Sequence, residues 1–286
     1  MPIPRHKIDR EAVQRRFDST VANLNVFINS VGRTPNNLTL LASNALDVVM
    51  CGSVVAPDSP HIRPALGLAS RATAALFAVA AAETFPIEVV VTEGPPVRYT
   101  FAPESSLVHP NRWLDGFFLA ALCRDYDSIQ ALFETPSDLL RASSTRCPEY
   151  AYLFVDAICG YLEGAKDTGQ RLVKALAATD PERSDLMPDW ALNIDVPKIE
   201  LFYLIAAGDH SGFAAALPRA VEGHRNYWSK LKNKDVSRNP DGFLALGPLG
   251  LAAIAYDRKM PVSVDSDYFP LALIEDPSPG QAWKGV

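Results

Sequence analysis

Apolar residues recur at three- and four-residue intervals along most of this chain, and that spacing commits it to helices. Asp9 opens the first pattern, carried by Val13, Phe17, Leu24, Phe27 and Ile28 until Gly32 and Pro35 stop it. A second helix is predicted from Asn36 or Asn37 to Gly52. A third follows Pro60 to about Thr84 and is apolar on most faces, which suits the centre of a core. One stretch breaks the period. Residues 87–91 and 97–101 are β-branched and aromatic around Gly94-Pro95-Pro96, which predicts a small hairpin, or two extended segments, lying against helices.

Helical spacing returns with Trp113, Phe117, Phe118 and Leu122, turns at Arg124–Asp127, and resumes with Ile129, Leu132 and Phe133 until Pro136. Tyr150, Phe154, Ile158 and Tyr161 continue it, then Leu172, Val173 and Leu176. Asp180–Pro197 reads as a long acidic loop with one turn near Trp190. Ile199, Tyr203 and Ala206 then lead through Gly208-Asp209 to Phe213, Leu217, Val221 and Trp228. Residues 119–125 and 203–209 thus share one grammar: a helix closes on a small or charged turn and another opens. The expected fold is a single mainly α domain over 1–286, made of antiparallel helix pairs with tetratricopeptide-like packing and a small β-hairpin at 87–101. Lys230–Asn239 reads as an exposed basic loop, Asp241–Tyr256 as a last apolar helix, and 262–265 as a short strand. The tail from about 277 is expected to be loose.

With 48% hydrophobic and 21% charged residues, the 286-residue chain has ordinary globular composition. Its net charge of −6 argues against a protein that grips phosphate backbones and suits a basic protein partner. Neither long uncharged stretch, 72–82 or 242–256, reaches the length of a membrane span. The opening residues carry charges without an apolar stretch, which is unlike a secretory leader. Cys51, Cys123, Cys147 and Cys159 lie far apart and read as reduced thiols, so the expected compartment is the cytoplasm.

Catalytic signatures are missing from the sequence. It has no Walker loop, G-x-G-x-x-G, G-x-S-x-G or H-E-x-x-H. The five histidines stand singly, and neither metal nor cofactor is expected. Asp125/Asp127 and Asp265/Asp267 are D-x-D pairs best read as turn residues. Tyr227-Trp228 beside the basic 230–238 run reads as the edge of a solvated loop rather than a nucleic-acid platform. The acidic stretch is the stronger signal. Asp180–Glu200 holds six acids against two bases, with Met187, Trp190 and Leu192 among them. Exposed acid around an aromatic anchor suits docking of a basic protein. Asp180, Glu182, Asp185, Asp189, Trp190 and Asp195 are therefore the candidate partner-binding residues.

The C-terminal run Asp241-Gly242-Phe243-Leu244-Ala245-Leu246-Gly247-Pro248-Leu249 through Arg258, followed by Val262–Pro270, resembles the closing signature of the immunity protein 49 family of bacterial polymorphic-toxin systems. Pro4–Asp9, Trp113–Phe117 and Asp156–Leu162 are similar to that family as well. The resemblance implies a non-enzymatic, mostly helical antitoxin for interbacterial competition. It would neutralise a cognate toxin, a basic nuclease or deaminase domain being the expected kind, by occluding the active site. The resemblance supplies no catalytic residues and no contact positions. The rival readings are a helical-repeat adaptor for a non-toxin partner and an all-α enzyme of unrecognised type.

Overall fold

The computed structural model describes residues 2–92, 94–180, 187–231 and 235–275. By contacts the chain divides into two compact units: Arg10–Arg146, and Met1–Asp9 together with Cys147–Val286. Both are built of packed helices, so the mainly α class and the pairing of helices are as the spacing requires.

In the Arg10–Arg146 unit, α1 (Arg10–Ser30), α2 (Asn37–Val55) and α3 (Ile62–Ala80) pack in sequence, and α3 also meets α4 (Pro110–Cys123) and α5 (Tyr126–Phe133). The near-continuous apolar surface of α3 is explained by those neighbours on several sides. Helix α2 is long and apolar enough to cross a membrane by length and composition, yet it lies along α1 and α3 with half of it buried. β1 (Ile87–Val89) and β2 (Val97–Tyr99) pair antiparallel, and the Tyr99 hydroxyl donates to the Val31 carbonyl at 3.0 Å. The core rests on Trp113, stacked on Phe117 with ring centres 5.8 Å apart, while its indole N–H donates to the Leu132 carbonyl at 2.7 Å. Gly116 is needed where α4 meets α3, because a Cβ there would stand 2.8 Å from the Thr73 methyl. A short α6 (Ser137–Arg141) follows.

The other unit contains α7 (Glu149–Leu162), α8 (Thr168–Ala177), α9 (Pro188–Trp190), α10 (Val196–Ala207), α11 (His210–Lys230), α12 (Leu246–Asp257) and α13 (Ala272–Glu275). Helix α12 is buried from Gly247 to Ala255 and packs on α10, α11 and α13. The Phe202 ring is edge-on to Phe154 and Tyr161, with centres 5.9 and 5.1 Å away.

The two corners singled out by their grammar are built alike, one in each unit. Arg124 (φ 55°) and Gly208 (φ 66°) both end their helices in the left-handed region. Arg124 N–H donates to Ala121 and Asp125 N–H to Ala120; Gly208 N–H donates to Ile205 and Asp209 N–H to Leu204. This is the Schellman pattern. Each corner is followed by an aspartate that caps the next helix, Asp125 accepting from Ser128 N–H at 3.1 Å and Asp209 from Gly212 N–H at 2.9 Å. The turn reading of Asp125 is thereby met. Arg124 is fully buried and donates to the Leu122 carbonyl at 3.0 Å.

Three expectations are corrected. The loop expected over Asp180–Pro197 is helical from Pro188 onward. The strand expected at 262–265 reduces to a single bridge, Ile3 with Ser266. The last helix, expected from Asp241, begins at Leu246, and of the expected basic loop 232–234 lie outside the described residues. The tail expected to be loose also lies outside them. No cysteine is in a disulfide, and burial pushes the thiols of Cys51, Cys123 and Cys159 up to about 12, which makes them poor nucleophiles.

Candidate partner-binding surface and the network beneath it

Two prolines shape the acidic segment. Pro188 begins α9, where its missing N–H costs nothing, and Asp189 in that first turn favours the positive end of the helix. Pro197 lies in the first turn of α10 and cannot donate to the Asn193 carbonyl four residues earlier. Between them Ala191–Asp195 widens to a π turn, with Val196 N–H reaching back to Ala191. The Asn193 carbonyl is pressed against α11: a Cβ on Gly223 would fall 2.5 Å from its oxygen. Gly223→Ala is therefore expected to lower stability by about 1–3 kcal/mol, read as a shifted urea midpoint. An unshifted midpoint would show that α11 can move away freely.

The π turn delivers Asp195 inward. Its side chain accepts from the Tyr150 hydroxyl at 2.8 Å and meets the Lys198 ammonium at 2.6 Å. Asp195 and Lys198 are each only 7% exposed, so this is a desolvated ion pair tied to α7 by a third hydrogen-bonding group. The Lys198 ammonium also lies 5.9 Å from the centre of the Trp190 ring. Trp190 stands edge-on to Tyr227 at 5.1 Å, and Tyr227 edge-on to Trp228 at 5.5 Å. Trp228 in turn neighbours the rings of His6 and His224, and both histidines adjoin Tyr268. One polar and aromatic chain thus runs from Tyr150 to Tyr268.

The six candidates separate along this network. Asp189 lies on the open surface. Asp180 is partly exposed. Trp190 is half-buried and already in T-shaped contact with Tyr227. Asp195 is an internal residue, placed there by the π turn rather than presented to solvent. Glu182 and Asp185 lie outside the described residues. Two apolar side chains of this segment are open: Met187 is 58% exposed and Leu192 50%. They flank Asp189 in sequence. A helix start at Pro188 followed by a second proline nine residues later was the signal that this segment is not a loop.

Sequence reasoning missed the histidines. His6 Nδ1 lies 2.8 Å from the Tyr268 hydroxyl and its Nε2 3.2 Å from the Val236 carbonyl. His224 Nε2 lies 3.1 Å from the Gly242 carbonyl. A ring nitrogen facing a carbonyl must carry the proton, so both rings are assigned the Nε2–H form. Burial lowers His6 and takes His224 down to about 4, so both are neutral at pH 7. Beside His6 and Trp228 is a cavity of about 260 Å³, walled also by Lys7, Ser229, Asp235, Val236 and Ser237. Among the described residues no group of three or more His, Cys, Asp or Glu is placed to hold a metal ion. The arrangement sets exposed Met187, Asp189 and Leu192 in the same segment as the buried Asp195–Lys198 pair.

The family model described as Immunity protein 49 matches residues 56–273, most of the chain. No curated protein and no solved structure matches it.

Proposed function

Since the chain belongs to the Immunity protein 49 family, we propose that it binds a cognate toxin domain and neutralises it by covering the toxin's active site. Binding is stoichiometric, without turnover, and takes place in the cytoplasm. The toxin surface that it meets is basic, as in nuclease or deaminase domains that act on nucleic acid. The observation that supports this reading is the stretch where exposed Asp189 sits between exposed Met187 and Leu192, in a protein of net charge −6. Acid steers the encounter, and the apolar side chains supply buried contact. The buried Asp195–Lys198 pair fixes the backbone beneath that surface.

The test is co-expression with the toxin encoded beside the gene. A stable complex and restored growth are expected, and purified toxin should lose activity in a one-to-one mixture. Asp189→Lys should slow association several-fold and flatten its salt dependence, and Met187→Ser should mainly speed dissociation. A toxin that stays active in the presence of saturating protein overturns the occlusion mechanism. Normal kinetics for both variants, with melting unchanged, would move the contact to another surface.

A further inference from the structure

Residues 3–9 form a docked segment, bonded at both ends, with one buried histidine between the anchors. Ile3 N–H donates to the Asp265 carbonyl at 2.8 Å, and the Ser266 hydroxyl donates to the Ile3 carbonyl at 2.8 Å. At the far end Asp9 N–H donates to the Ser237 carbonyl at 3.0 Å, and the Asp9 carboxylate pairs with Arg238 at 2.7 Å. Between these anchors lies His6, 8% exposed. Its backbone N–H donates to the Tyr268 hydroxyl oxygen at 2.7 Å. That hydroxyl is then free to give its own proton to His6 Nδ1, 2.8 Å away. On the other side of the ring, Nε2–H donates to the Val236 carbonyl. A neutral ring fits all three bonds as they stand, whereas a proton on Nδ1 would require the hydroxyl to accept twice, from the backbone and from the ring, and to turn its own proton away from Nδ1.

We propose that residues 3–9 form a strap latched by His6, docked while the ring is neutral and released when it takes up a proton. The surroundings oppose the charged ring. Arg5 and Lys7 lie on the same segment, and the Arg5 guanidinium stands 5.9 Å over the Tyr268 ring. From α11 come His224 and, about Tyr268, Arg225 with Glu222; Lys198 of α10 faces His224. Asp235, on the wall of the cavity, and Glu222 are the acids in that company. Desolvation of the His6 ring is the largest influence and lowers its proton affinity. Release removes His6 and Lys7 from the cavity wall and uncovers Trp228, which the strap now helps to bury.

Linkage to one proton gives the test its shape. Below the ordinary histidine pKa, the opening constant of the strap should rise by up to about tenfold per pH unit and be flat above it. Amide hydrogen exchange of the full-length protein, corrected for intrinsic rates, should show this for Ile3, His6 and Asp9 between pH 7.5 and 5.5, while α12 keeps its protection. His6→Asn retains an acceptor near the position of Nδ1 and cannot titrate, so it should remove the slope. Tyr268→Phe deletes the hydroxyl and should raise opening several-fold already at pH 7.5. A strap whose protection ignores pH, one that is lost only together with α12, or one that keeps its slope in His6→Asn, overturns the latch. So does unchanged protection in Tyr268→Phe.

Discussion

Asp195→Ala is expected to lower the stability of the protein by about 3–5 kcal/mol, because it takes the carboxylate away from the Lys198 ammonium in a desolvated position. Lys198 is 7% exposed, and the Asp195 carboxylate oxygen lies 2.6 Å from its ammonium. Tyr150 would lose its acceptor as well. The pair itself is not thereby strongly stabilising. Asp195→Ala combined with Lys198→Met should regain most of the loss, since no buried charge is then left unpaired. Urea unfolding of the two single variants and the double variant checks this as a cycle. A double variant as unstable as Asp195→Ala would mean that the damage comes from the widened turn and not from the charge.

Acidification from pH 7.5 to 4.5 should destabilise the protein through its buried histidines. His224 is held down to about 4, mainly by desolvation, and His109 to about 4, by desolvation and then by Arg112. In the unfolded chain both titrate near 6.5. Between those values the unfolded state binds protons that the folded state refuses, so stability falls as pH falls through that window and is unaffected by these groups above it. For His224, which is almost fully buried, the limit is about 3 kcal/mol. His109 has a second consequence: its Nδ1 accepts the Arg112 N–H at 3.3 Å and caps α4, which a protonated ring cannot do. Melting temperatures across the window should therefore decline steadily, and His109→Asn, a capping residue that does not titrate, should remove part of the slope. A flat profile down to pH 4.5 would show that water reaches both rings.

Residues with local consequences were legible without coordinates. The period of Val13, Phe17 and Leu24 gives a helix in any surroundings, and the Schellman corners at Arg124 and Gly208 need only a small or adaptable residue followed by an aspartate. The hairpin at 87–101 followed from β-branched residues around glycine and proline. The family resemblance rests on residues of this kind, and the match over 56–273 bears it out.

The acidic segment shows where that reading stops. Six acids among apolar residues look alike in sequence, but Asp189 points to solvent and Asp195 to the interior. The difference is made by one extra residue in a turn, which Pro197 favours and which the bare backbone of Gly223 accommodates. Nor does anything near His6 in the sequence announce Tyr268, 262 positions away. Helix formation is decided within a few residues, by spacing, caps and prolines, so the sequence by itself determined the helices, their corners and the hairpin. Whether a charge is buried, and which ring stays neutral, depends on the dielectric and the partners supplied by distant segments, and only the tertiary structure decided that.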